Sequence, residues 1–289
     1  MHCSCLHVSR TRQPGRLTRA LVWFLPAIAC GLFLLPAQAQ STNPWRGKRC
    51  AVSLTYDDAI QQHLDHALPA LDRLGLRGTF YLSGIFPGFT SNLDRWRSVA
   101  KTGHELGNHT LFHPCDGSQP GREWVNPNYD LSKYTLKRIT DEIRLTNALL
   151  YTIDGKTSRT FAYPCGDTKV EGVDYYQSVQ DAFVGARGVT GEHIRIGALN
   201  PANVGSYVVS GQSAEQLIDL VKKAQETGTW VVFLFHGVGG GHSLDVKLTE
   251  HNKLLAYLKQ NETTIWTAPF IEVLPYATQT ATSGKTTRP

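Results

Sequence analysis

Short apolar runs alternate with helical patterns along most of this chain, and that alternation limits the fold more than any other feature. Residues 50–56 (CAVSLTY), 78–82 (GTFYL), 160–163 (TFAY) and 229–235 (TWVVFLF) are rich in β-branched and aromatic residues. Such unbroken runs suit strands buried on both faces. Further strands are predicted at 103–108, 183–186 and 264–266. Helices are predicted between them at 64–74, 94–101, 131–150, 175–181, 213–225 and 248–260. The longest carries Leu136, Ile139, Ile143, Leu149 and Leu150 at helical spacing. Strands separated by helices pair in parallel, and seven or eight such units favour an α/β barrel over an open sheet. No repeat or low-complexity spacer interrupts residues 50–277, so one domain is expected there, after a polar linker (40–49) and before a disordered tail (278–289).

Residues 1–39 carry four Arg and no acidic residue, then an apolar run at 21–36 and Ala37-Gln38-Ala39. This is the pattern of a signal peptide cleaved near Ala39. The run is broken by Pro26 and falls short of the ~20 residues a spanning helix needs. The mature chain is therefore expected to be exported, periplasmic or secreted, with no membrane span. The formal charge of +5 shrinks with the leader, because 25 basic residues then face 24 acidic ones. A nearly neutral chain offers no electrostatic case for binding nucleic acid.

The polar residues that follow the strands carry the chemistry. Asp57-Asp58 closes the first strand, His109 and His113 follow the third, and His236 ends the most apolar one. Reactive groups in parallel barrels sit at these carboxyl ends. Each is ambiguous alone. An Asp after a strand often caps the next helix, and a single His is commonly a satisfied core residue. Together they make a set suited to zinc. Two imidazoles and a carboxylate bind it, a second carboxylate deprotonates water, and another His protonates a leaving group. One turn of helix would point His109 and His113 the same way, although Pro114 requires a tight turn there.

Ser53-Leu-Thr-Tyr-Asp-Asp58, Gly103-His-Glu-Leu-Gly-Asn-His-Thr-Leu-Phe-His113 and Phe233-Leu-Phe-His236 resemble three motifs of the polysaccharide deacetylases, carbohydrate esterase family 4, also called the NodB-homology domain. The resemblance implies a distorted (β/α)7 barrel. It also implies Asp57 as general base, His236 as general acid, and Asp58, His109 and His113 as ligands of Zn²⁺ or another divalent metal such as Co²⁺ or Ni²⁺. The implied activity is hydrolysis of acetyl groups on a carbohydrate polymer or oligosaccharide, as an N-deacetylase of chitin-like or peptidoglycan sugars. The alternatives are an O-acetyl esterase such as acetyl-xylan esterase, a carbohydrate-binding pseudoenzyme, or an amide hydrolase acting on small molecules.

Two family motifs depart from the pattern. Ala162-Tyr163-Pro164-Cys165-Gly166 stands where Arg-Pro-Pro-Tyr-Gly is usual. The Pro and Gly imply the same loop, with the Cys165 N–H facing the oxyanion, but the Arg that braces the catalytic Asp is replaced by Ala162. Arg187, ending the neighbouring strand, either replaces it or forms a surface ion pair. The fourth motif, with an Asp that orients the acidic His and a Trp that lines the groove, has no clear counterpart at 183–188. His242, after a run of three Gly, either touches substrate or belongs to a surface loop. Cys115 and Cys165 each follow a Pro in a strand-end loop, so they either form a disulfide beside the metal or stay free and buried. Cys50 is expected to stay reduced.

Overall fold

The computed structural model describes residues 44–279. The expected signal peptide (1–39), residues 40–43 of the linker and residues 280–289 of the tail lie outside the described residues. Eight parallel strands form one curled sheet: β1 (Cys50–Asp57), β2 (Thr79–Leu82), β3 (Glu105–Asn108), β4 (Phe161–Ala162), β5 (Ala186–Arg187), β6 (Tyr207–Val208), β7 (Trp230–Phe235) and β8 (Ile265–Thr267). The spatial order is β5-β4-β3-β2-β1-β7-β6. β1 is central. It pairs along six positions with β7, and on its other edge with β8 below and β2 above. The two ends of the sheet meet where Arg187 bridges Val204, just before β6, which bends it into the distorted (β/α)7 barrel of a single domain.

The strands that hold the barrel together are those that were legible as apolar runs. All eight residues of β1 and all six of β7 are buried, and each buried Val, Leu or Phe contributes ~1.5–3 kcal/mol relative to exposure. The helices pack outside. They include α1 (Leu68–Arg73), α2 (Leu93–Lys101), α3 (Leu136–Asp154), α4 (Ala214–Thr227), α5 (Leu248–Gln260) and α6 (Phe270–Ala277). Local capping sets their ends. Ser213 and Gln216 form a capping box at α4, and Gly228 closes it in the left-handed region at φ 66°. α3 starts at Leu136 rather than at 131, because the Thr135 side chain accepts from the Arg138 N–H and residues 131–133 form a separate 3₁₀ turn.

Three expectations change. The predicted helix at 175–181 is a pair of 3₁₀ turns. The predicted strand at 183–186 pairs instead at Ala186–Arg187, where the ladder to β4 forms. Residues 44–49, read as linker, pack on the domain. Trp45 is fully buried in a cluster with Trp230 and Phe270, and its indole N–H donates to Gly228 O at 2.9 Å. A lone Trp in a polar stretch has no periodicity to announce this burial. Among the described residues, no helix is long and apolar enough to cross a membrane.

Candidate active site

At the carboxyl ends of the strands lies a cavity of about 930 Å³, lined among others by Asp57, Asp58, His109, His113 and His236. The backbone at and beside these residues is strained. Asp58, Ala59, Thr110, His113 and Cys165 all have positive φ, between 52° and 78°. The left-handed region costs L-residues roughly 1–2 kcal/mol each, so the surrounding packing must hold them there. At the β1 turn the packing is visible: a Cβ on Gly88 would fall 1.8 Å from Ala59 O. Only glycine lets that segment close over the turn.

His109 and His113 converge through this strained turn and not through a turn of helix. Their rings meet edge to face with centroids 4.8 Å apart. Three groups shape the turn. Asn108 Oδ1 accepts from the Thr110 N–H (2.9 Å), Glu142 Oε1 accepts from the Phe112 N–H (2.7 Å), and the Ser83 hydroxyl donates to His109 O (2.6 Å). Sequence reading passed over all three. Glu142 alone left a signal, as a carboxylate on the apolar face of α3.

The donors fit a cation. The Nδ1–H of His109 donates to Ala162 O at 2.8 Å, which turns its Nε2 toward Asp58. That nitrogen faces Asp58 Oδ1 at 3.4 Å, and His113 Nε2 faces the same oxygen at 3.2 Å. Asp58 Oδ1 is buried without a hydrogen-bond partner, and the three donor atoms lie within 4.8 Å of one another. Burial opposes the Asp58 charge, yet the two imidazoles hold it well below the usual carboxylate range. Burial likewise pulls His113 down, and Asp58 more than offsets this, leaving it raised. Once both rings give up a proton, a carboxylate and two imidazole nitrogens this close together would suit an open three-ligand site of the zinc type.

Asp57 is buried beside this set, and the Arg187 guanidinium contacts its Oδ2. Burial works against ionisation, but Arg187, His109 and His236 together keep the Asp57 pKa below its ordinary value. Arg187 is itself fully buried, with its guanidinium 5.2 Å from the Tyr81 ring centroid. It is therefore an interior brace and not a surface ion pair. His236 faces the cavity with Nε2 3.8 Å from Asp58 Oδ2, and burial lowers its pKa. Its Nδ1 is buried without a partner. Among the described residues no carboxylate pairs with that nitrogen; the His242 ring stacks on the imidazole instead, with centroids 4.7 Å apart and planes 16° from parallel. The Leu244 N–H donates to His242 Nδ1 at 3.0 Å, which holds the second ring in place.

Tyr163 and Cys165 also line the cavity, whereas Pro164 is buried behind it in a 3₁₀ turn. The Tyr163 hydroxyl donates to Ala202 O at 2.6 Å. Cys115 and Cys165 stand sulfur to sulfur with Cα atoms 5.7 Å apart, within the span a bridge requires. Cys50 is buried elsewhere, and burial pushes its thiol up to about 12. Of the residues expected at the site, Asp57, Asp58, His109, His113, Tyr163, Cys165 and His236 line one cavity, Arg187 reaches it through Asp57, and Pro164 does not line it. Missed were His242's stacking role and Trp124, which reaches the cavity from a polar loop.

Residues 46–181 match the sequence model described as polysaccharide deacetylase, a stretch that contains the Asp pair and the His pair but ends before Arg187 and His236. The chain is 26% identical over 118 residues to the peptidoglycan-N-acetylmuramic acid deacetylase PdaA of Bacillus subtilis, covering 40% of this chain and 38% of that protein. It is 28% identical over 169 residues to a gellan lyase of a Bacillus species, covering 58% of this chain and 6% of the other. The chain thus spans well under half the length of these curated relatives. A putative polysaccharide deacetylase from Mycobacterium smegmatis has a similar solved structure, with a TM-score of 0.54 at 14% identity over 80% of this chain and 90% of that one.

Proposed function

The chain belongs to the polysaccharide deacetylase family, and on that premise we propose that it is a metal-dependent hydrolase removing acetyl groups from an N-acetylated carbohydrate polymer or oligosaccharide. The observation that carries this reading is the buried Asp58 carboxylate, met by two imidazole nitrogens, in the same cavity as an Arg-braced Asp57 and His236. A divalent metal such as Zn²⁺, Co²⁺ or Ni²⁺, held by Asp58, His109 and His113, would supply Lewis acidity toward the acetyl carbonyl and lower the pKa of water.

The side chains divide the remaining work. Asp57, kept ionised by Arg187, accepts a proton from the attacking water. His236 delivers a proton to the departing sugar nitrogen, and the stacked His242 keeps its ring in plane. The Cys165 N–H faces the carbonyl oxygen as it gains charge, an interaction of a kind worth ~3–4 kcal/mol. Acetate and the free amine leave. In this reading Cys115 and Cys165 form a disulfide that ties the metal-binding turn to this loop. Export after loss of residues 1–39 supplies the oxidising surroundings.

The test is acetate release from N-acetylated chitooligosaccharides and peptidoglycan fragments, beside O-acetylated xylan, with metal content measured on the same preparation. N-deacetylation that a chelator abolishes and Zn²⁺ restores supports the proposal. Release from the xylan ester alone would make it an esterase. Binding without release on any substrate would make it a pseudoenzyme.

A further inference from the structure

Residues 115–130 form a loop between His113 and α3 that contributes no metal ligand, yet it is held in place at many points. At its base the Leu131 N–H donates to Cys115 O at 2.9 Å, and Asp130 Oδ1 accepts from the N–H of Gly117 and of Ser132. Further along, Arg122 forms an ion pair with Asp167 and also donates to Cys165 O at 3.4 Å, while the Asp116 N–H donates to the same Asp167 at 2.8 Å. A turn closed by the Val125 N–H on Arg122 O (3.0 Å) then carries Trp124. This indole is 65% exposed, while Trp45, Trp96 and Trp230 are fully buried.

Fixing a loop this firmly and then leaving its largest apolar side chain in water makes sense if the indole has a partner. Trp124 lines the same cavity as Asp57 and His236. The cavity volume of about 930 Å³ is near the upper end of the ~300–1,000 Å³ usual for ligand sites, far more than an acetamide needs. Other parts of its wall are apolar as well, including Phe86, Val189 and Leu244.

We infer that Trp124 is a platform on which a neighbouring sugar ring of the chain stacks while the acetyl group of the reacting sugar lies at the Asp57–His236 floor, so that this protein selects oligomers over single sugars. The inference rests on the deacetylase reading for the identity of the ligand. A pyranose presents a face of C–H groups and an edge of hydroxyls, and an indole offers a flat apolar surface with one donor. Because the Arg122 clamp has already ordered the loop, stacking loses little entropy on binding. Trp124 makes no contact with the reacting atoms; it acts through affinity and placement of the chain.

The experiment uses full-length mature protein carrying His236→Ala to block turnover, with Trp124 intact, Trp124→Phe or Trp124→Ala. N-acetylglucosamine, its β-linked tetramer and acetylated xylotetraose are titrated by calorimetry and by tryptophan emission. The expected result is that a tetramer binds at least tenfold more tightly than the monosaccharide and shifts the emission to shorter wavelength. Trp124→Ala should remove both the shift and the tenfold gain, and Trp124→Phe should keep most of the gain. Equal tetramer affinity with and without the indole overturns the inference, as does a wild-type tryptophan emission that neither tetramer shifts. Acetate release by the protein with His236 intact is scored separately. A platform without hydrolysis sinks the deacetylase reading alone, and hydrolysis without a platform sinks this inference alone.

Discussion

Arg187 contacts Asp57 from the strand position that lies in register with Ala162. The guanidinium that the family pattern places at 162 is supplied here one strand over, and the buried Ala162 leaves room for it. Removing it strands a buried carboxylate. Arg187→Met is expected to cost ~3–5 kcal/mol in urea unfolding and to depress acetate release at least tenfold, because Asp57 would no longer be held ionised. Moving the charge back, as Arg187→Ala with Ala162→Arg, should recover part of both. Unchanged stability in the single variant would show that the pair contributes nothing.

Under the proposed roles, metal content should separate the ligands from the acid–base residues. His109→Ala and His113→Ala are each expected to lose the metal on dialysis, since an open three-ligand site has no donor to spare. Asp57→Asn and His236→Ala should retain it and lose turnover by ~10²-fold or more. If Asp57→Asn came out metal-free while Asp58→Asn stayed loaded, the two carboxylates would have to exchange roles.

Thiol titration of unfolded, unreduced protein beginning at Gln40 should find one reactive thiol, that of Cys50; finding three would exclude the Cys115–Cys165 bridge. Closing a loop over a separation of 50 residues constrains the unfolded chain by at most ~4 kcal/mol. Reduction is therefore expected to lower the unfolding midpoint.

Buried His251 sets part of the acid response. Its Nε2 lies 2.9 Å from the Tyr56 hydroxyl, and burial lowers its pKa from 6.5 to about 4. The unfolded chain therefore binds more protons than the folded one between these values. The stabilisation is complete above pH 6.5 and is lost as the pH falls toward 4, amounting to ~2.5 kcal/mol by pH 4.5. Urea unfolding of chelator-treated protein at pH 7 and 4.5 measures it. His251→Phe should lose less stability across that interval than the parent, and an identical loss would mean that His251 does not remain neutral in the fold.

Sequence alone determined the strand–helix alternation, the parallel pairing it requires, and the placement of Asp57, Asp58, His109, His113 and His236 at strand ends. Those properties are local: a buried strand must be apolar along its length, and the first polar residue after it marks where it leaves the core. Tertiary structure decided what depends on neighbours far away in the chain. The barrel seam at Arg187 and Val204, the burial of Trp45, the left-handed turn that aims His113 and the stacking of His242 on His236 leave no period in the sequence. The clearest case is Arg187. Its sequence neighbours are equally consistent with a solvent-exposed ion pair, and only the parallel register of β4 with β5, set by backbone hydrogen bonds, turns its charge inward onto an aspartate 130 positions away.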